Sequence, residues 1–171
     1  KANAERYGMD PERIAVYGHS AGGHLVAMLG VSGGVKQLQG SLGPHTKLDS
    51  RVAAVIDFCG PTDFLRMNDF PSQIDHDAAN SPESRLVGGA IRKHPDRCRN
   101  ASPLSYVTPD DAPFLVVHGT RDELVAYNQS ELLRTSLERA RVPVALVTIT
   151  RGGHGLGGAV LDARVRAFLE H

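Results

Sequence analysis

The sequence predicts an α/β fold: a parallel sheet of about four strands with helices on both faces. Two observations carry this. Apolar, β-branched runs at residues 13–17, 52–58, 114–118 and 144–150 are separated by connections long enough for a crossover, three of the segments between and after them having helical character. The run at 52–58, Val-Ala-Ala-Val-Ile-Asp-Phe, is almost continuously apolar, the pattern of a parallel strand covered on both faces rather than of a half-exposed antiparallel one.

Each element has a local reason. Residues 1–8 read as the last turns of a helix with Gly8 at its C-terminal cap, so the domain is expected to begin upstream of Lys1. Asp10-Pro11-Glu12 turns the chain into the first strand, Arg13-Ile14-Ala15-Val16-Tyr17. A helix over 21–31 stops at Ser32-Gly33-Gly34, and 35–50 is an irregular surface connection rich in Gly, Ser, Pro and Lys. Residues 64–113 are proline-rich and read as an irregular, cap-like insert with short helical pieces at 84–92 and 103–106. Residues 127–141 form a helix with Leu133, Leu137 and Ala140 on one buried stripe. The helix over 159–169 is expected to bury Val160, Ala163, Ala167 and Phe168.

Composition excludes several classes. The 171 residues suffice for a single domain with its own core. The 19 basic residues balance 19 acidic ones, so no global field favours nucleic acid or an anionic membrane. No apolar run approaches the ~20 residues of a membrane span. Two cysteines are too few for a disulfide scaffold; Cys59, in a strand-like run, reads as a small buried residue, and its pairing with Cys98 is left open. Localisation is left open, because a targeting segment would precede Lys1.

The chemistry starts at Gly18-His19-Ser20-Ala21-Gly22, which directly follows the first strand and opens the first helix. Gly-x-Ser-x-Gly in a strand–turn–helix setting is a nucleophile elbow, where the flanking glycines let strand and helix approach closely. A serine hydroxyl needs an imidazole to take its proton, and the imidazole needs a carboxylate to set its tautomer. Asp122 follows the third strand and His154, set among glycines, follows the fourth. Ligands of open parallel sheets bind at the carboxyl ends of the strands, so all three residues are expected on one rim. The order Ser, Asp, His is that of α/β-hydrolases.

Other residues have plainer readings. Asp63 is the rival acid, disfavoured by strand position, and Asp122 has an alternative role as a helix cap. His24 reads as a packed helix residue. Asp75-His76-Asp77 lacks metal-ligand spacing and reads as solvated loop. Asn100-Ala101-Ser102 and Asn128-Gln129-Ser130 match the glycosylation pattern, which recurs by chance.

These motifs together resemble the C-terminal half of an α/β-hydrolase carboxylesterase or lipase, in the feruloyl, acetyl-xylan and hormone-sensitive-lipase branches. The residues that carry the resemblance are Asp10 to Ile14, Gly18 to His24, Gly60-Pro61-Thr62-Asp63, Pro82 to Gly89, Ala101 to Val107, His118 to Asp122 and Gly153-His154-Gly155. The resemblance implies hydrolysis of a small-molecule carboxylic ester through an acyl-enzyme, with Ser20 as nucleophile, His154 as base and Asp122 as orienting acid. It implies the Ala21 N–H as an oxyanion donor and no metal or organic cofactor; beside it, His19, Thr62 and Val125 read as substrate contacts. A prolyl-oligopeptidase-like peptidase shares the triad order and is the alternative. The family's early His-Gly-Gly segment and first strands are not in the sequence, so the strand at 13–17 is expected at an open sheet edge. Either a preceding segment or a second copy of the chain would pair there, and an inert fragment that associates through this edge is the reading from another class.

Overall fold

A computed structural model describes residues 1–170. Four strands, β1 (Ala15–His19), β2 (Ala54–Phe58), β3 (Phe114–Gly119) and β4 (Val144–Ile149), form one sheet in the order β1-β2-β3-β4. All three pairings are parallel, with Ala15 opposite Ala54, Val55 opposite Phe114 and Phe114 opposite Val144. Strand order equals chain order, so all four carboxyl ends meet on one rim, as expected. The central strand β3 is buried throughout, whereas β1 and β4 alternate because each is an edge.

Helix α1 (Ala21–Val31) and a single turn α2 (Lys36–Gln39) follow β1. The insert contains α3 (Pro82–Val87) and α4 (Pro95–Ala101), together with 3-10 turns at Phe64–Asp69, Ile91–Lys93 and Pro103–Ser105. It is therefore more ordered than its prolines suggest. Two of those prolines, Pro82 and Pro95, sit in the first turn of α3 and α4, where their missing N–H costs nothing. Helix α5 (Asn128–Arg139) precedes β4, and α6 (Ala159–Leu169) follows it.

One core lies between the sheet and helices α1 and α5: Ala27, Val31, Val55, Phe114, Val116, Leu133 and Leu137 are all buried. The other face carries Ile56, Phe58, Cys59, Leu115 and Val117, covered by Leu161 with Val165 and Phe168 packed against them. This corrects the expected stripe on α6. Phe168 does face inward, but Val160 is 77% exposed and Ala163 and Ala167 also face solvent. Two stripes one residue out of phase are both apolar in this sequence, and contact with the sheet selects the bulkier one. Val87, Ile91 and Cys98 form a satellite cluster with Phe64 inside the insert. Cys59 and Cys98 are both free and buried. Gly8 has φ of 62° and its N–H bonds to the Glu5 carbonyl, the predicted helix cap. No helix of the described residues is long and apolar enough to cross a membrane.

Candidate active site

Ser20 joins β1 to α1 with φ 57° and ψ −119°, a conformation costing a non-glycine residue about 1–3 kcal/mol. Its N–H is anchored on the Phe58 carbonyl at 2.8 Å. The strain is maintained by close packing on one side only. A Cβ on Gly18 would lie 2.1 Å from the Gly22 carbonyl oxygen, and one on Gly23 would lie 2.8 Å from the Phe58 carbonyl oxygen. Gly22 itself has nothing within 4 Å of its missing Cβ, so the motif's second glycine is not demanded by this chain's packing; its neighbour Gly23 is. Ala21, at the start of α1, presents one of the amide groups that the helix leaves free, next to the positive end of its dipole.

Asp122 lies four residues beyond His118 in the loop after β3 and is 7% exposed. Its two oxygens divide the work. Oδ1 accepts from the Leu124 and Val125 N–H groups at 2.9 and 3.0 Å and closes a turn of the loop; it caps no helix, since α5 begins only at Asn128. Oδ2 accepts from His154 Nδ1–H at 2.8 Å. It also accepts from His118 Nε2–H at 3.1 Å. Burial works against the charge of Asp122, but the His118, Val125, His154 and Leu124 bonds outweigh it and hold the carboxyl well below the usual carboxylate range. Ionised at neutral pH, it sets the proton of His154 on Nδ1 and leaves the Nε2 lone pair free. No hydrogen bond joins Ser20 Oγ to His154 Nε2 among the described residues; such bonds commonly tighten only once substrate is in place.

His118 is a residue that sequence reasoning missed. It is fully buried; its Nε2–H is shared between Asp122 and the Val125 carbonyl, and its Nδ1 accepts from the Ser130 hydroxyl at 2.6 Å. A histidine at the end of a buried strand four residues before the acid was the available signal.

His19 reaches the site, though its Nε2–H is used on the His154 backbone carbonyl at 2.7 Å, and the two rings meet edge to face with centroids 5.0 Å apart. It clamps the loop that carries His154. Thr62 and Val125 are corrections: they are 0% and 5% exposed and offer no surface to a substrate. Gly60-Pro61-Thr62 follows β2 directly into the interior, and the Thr62 hydroxyl donates to the Gln129 carbonyl at 2.7 Å. Asp63 accepts from the Leu65 N–H as a cap and makes no bond to His154. His24 is packed as predicted, bonding the Pro61 carbonyl through Nδ1.

His76, expected in a solvated loop, is 1% exposed. Its Nδ1 bonds Glu83 at 3.0 Å and its Nε2 the Leu124 carbonyl at 3.1 Å, pinning the insert to the loop that carries Asp122. Burial alone would lower its pKa, but the hydrogen bond and charge of Glu83 outweigh this and raise it. Asp75 on one side is exposed and Asp77 on the other is half-buried, so only tertiary contact turns the residue between them inward. Cys59, with φ of 45°, sits behind the site. Burial first, and then the Asp122 charge, push its thiol up to about 12, so it carries a proton at neutral pH and is no nucleophile. An apolar cavity of about 260 Å³ opens beside the elbow, walled by Ala21, His24, Leu25, Pro61, Phe64 and Leu86.

With this geometry in view, the BD-FAE family profile matches residues 1–137. The chain belongs to the BD-FAE family. The chain is 34% identical over 167 residues to the esterase LipC of Mycobacterium tuberculosis, covering 91% of this chain and 38% of LipC. It is 32% identical over 135 residues to the probable carboxylic ester hydrolase LipM of the same organism, covering 76% of this chain and 29% of LipM. Among solved structures it resembles a truncated carbohydrate esterase from gut microbiota with TM-score 0.89 and 33% identity, covering 99% of this chain and 62% of that one. The fold is thus of the α/β-hydrolase type, and the chain spans under two thirds of each of these relatives. His154 lies beyond the family match, and its bond to Asp122 is the geometric evidence for its place in the site.

Proposed function

We propose that this chain carries the serine-hydrolase machinery of a carboxylic ester hydrolase. Ser20 attacks the ester carbonyl as His154 Nε2 takes its proton, Asp122 stabilises the imidazolium, and the Ala21 N–H faces the developing oxyanion. His154 then protonates the leaving alcohol, and water repeats the sequence on the acyl-enzyme. The observation that carries this reading is the 2.8 Å bond from His154 Nδ1 to a buried carboxylate beside a strained elbow serine. The apolar cavity beside Ala21 suits an acyl group, with the insert's Phe64 and Leu86 as its far wall. The relatives' names favour ester over amide, and nothing in the site calls for the peptidase alternative.

A fluorophosphonate probe tests this independently of turnover. Covalent labelling that is lost in Ser20→Ala and strongly slowed in His154→Ala supports the reading; a native chain that takes no label refutes it in favour of an inert fragment. Hydrolysis of p-nitrophenyl acetate is the second readout.

The open edge supports a second statement. β1 has a neighbour on one side only, and Tyr17 on it is 59% exposed, as is Leu25 at 65% on the adjoining helix. We propose that another strand completes the sheet here, either from a preceding segment or from a second copy. Light scattering that shows a dimer disrupted by Tyr17→Lys identifies the copy; a monomer whose edge amides become protected on adding the preceding segment identifies the segment.

A further inference from the structure

Cys59, His19 and His154 come from three different strand ends, yet one ligand atom from each lies within 4.8 Å of the other two. The Cys59 sulfur is 3.4 Å from His19 Nε2 and 3.6 Å from the His154 carbonyl oxygen. Metal–nitrogen bonds near 2.0 Å and metal–sulfur bonds near 2.3 Å at tetrahedral angles put N and S about 3.5 Å apart, which the Cys59–His19 pair already meets, with a His154 ring nitrogen within 4.8 Å of both. Cys59 is also held at positive φ, an unusual cost for a residue serving only as core filler. The buried carboxyl group of Asp122 borders the cluster, with Oδ2 2.8 Å from His154 Nδ1. One thiol with two imidazoles is a soft to borderline donor set, and hard cations such as magnesium and calcium are poor matches for it.

We propose that His19, Cys59 and His154 form an inhibitory site for a thiophilic divalent cation of the zinc–cadmium class. The Cys59 S–H bond breaks, its proton leaves to solvent and a sulfur–metal bond forms. His19 moves its proton from Nε2 to Nδ1 and binds through the freed lone pair. His154 is lost to the proposed catalysis whichever nitrogen binds. Coordination at Nδ1 replaces its bond to Asp122, and coordination at Nε2 consumes the lone pair that Ser20 needs. The fourth tetrahedral position is left to water. That the occupied site is inhibitory rests on the serine-hydrolase reading; that it binds the cation does not.

Two measurements on the whole 171-residue chain test it. Titration with cadmium, followed by thiolate-to-metal charge-transfer absorption, is expected to saturate at one cation per chain. The band is expected to disappear in Cys59→Ser and weaken in His19→Gln, and to persist in Cys98→Ala. Diethyl pyrocarbonate modification of His154, read by peptide mass spectrometry, is expected to slow on the order of tenfold when cadmium is bound, because the metal and a proton then occupy both ring nitrogens. No band in the native chain, or a band that survives Cys59→Ser, overturns the site. A Cys59-dependent band with unchanged His154 modification overturns the capture of the base. Failure of fluorophosphonate labelling without metal refutes the hydrolase reading alone, since neither measurement here depends on it.

Discussion

Replacing Gly18 with alanine places a methyl group 2.1 Å from the Gly22 carbonyl oxygen, 2.3 Å from its carbon and 2.8 Å from the Gly23 nitrogen. All three are backbone atoms, so no side chain can swing aside. Restoring a tolerable contact requires the end of β1 and the first turn of α1 to part by roughly 1 Å, given that carbon contacts are best near 3.5–4.0 Å. Overpacking of this kind costs about 1–3 kcal/mol. At about 2–4 °C per kcal/mol for a domain of this size, the melting temperature falls by roughly 2–12 °C. The displaced atoms carry Ser20, and a 1 Å misplacement of a reacting group costs on the order of 10²-fold in rate. Gly22→Ala is the internal control. It lies within α1 with nothing near the added methyl, so it is expected to stabilise the chain by about 0.5–1 kcal/mol. Circular-dichroism melts and the rate of fluorophosphonate labelling read both effects. The reasoning is refuted if Gly18→Ala melts and labels like the native chain, or if Gly22→Ala is as damaging as Gly18→Ala.

Three further outcomes follow from the same geometry. Asp122→Asn retains a partner for the loop amides but presents an amide to His154 Nδ1–H, so labelling of Ser20 is expected to fall about 10³–10⁴-fold while the far-ultraviolet dichroism is kept. His76→Ala strands the 5%-exposed Glu83 carboxylate and is expected to cost about 3–5 kcal/mol in urea unfolding. Because the folded pKa of His76 is raised, the stability its protonation adds is complete below its unfolded value of 6.5 and is lost as pH rises through the higher folded value, so the gap between native and variant midpoints narrows in alkali. Asp57 acts in the same direction in a lower pH window: burial raises it from 3.8 to about 6, so the folded chain holds its proton more tightly and loses about 3 kcal/mol as pH climbs between those values. Asp57→Asn is expected to flatten this slope, and a native urea midpoint that does not fall from pH 4 to pH 6.5 relative to the variant contradicts it.

Much of this was legible in the residues. The four strands, α1, α5 and α6 lie where hydrophobic periodicity and Gly/Pro punctuation place them, because each is a local pattern. Ser20, Asp122 and His154 could be singled out because chemistry and strand ends restrict where such groups are useful. The insert was less readable: α3 and α4 are held by Val87, Ile91 and Cys98 packing on Phe64 across 20 or more residues of chain, a contact with no local signature.

Sequence by itself determined the parallel α/β class, the order of the elements and the chemical types at the rim, since these follow from side-chain periodicity and from what a serine needs in order to react. Tertiary structure alone decided which of two apolar stripes on α6 meets the sheet, and that Thr62 and Val125 are interior. It decided that packing at the elbow demands a glycine at Gly23 rather than Gly22, and that His118 shares the carboxylate of Asp122. It also turned His76 inward and brought Cys59 behind His19 and His154. Each of these depends on distances between segments far apart in the chain, which packing sets and no local pattern encodes.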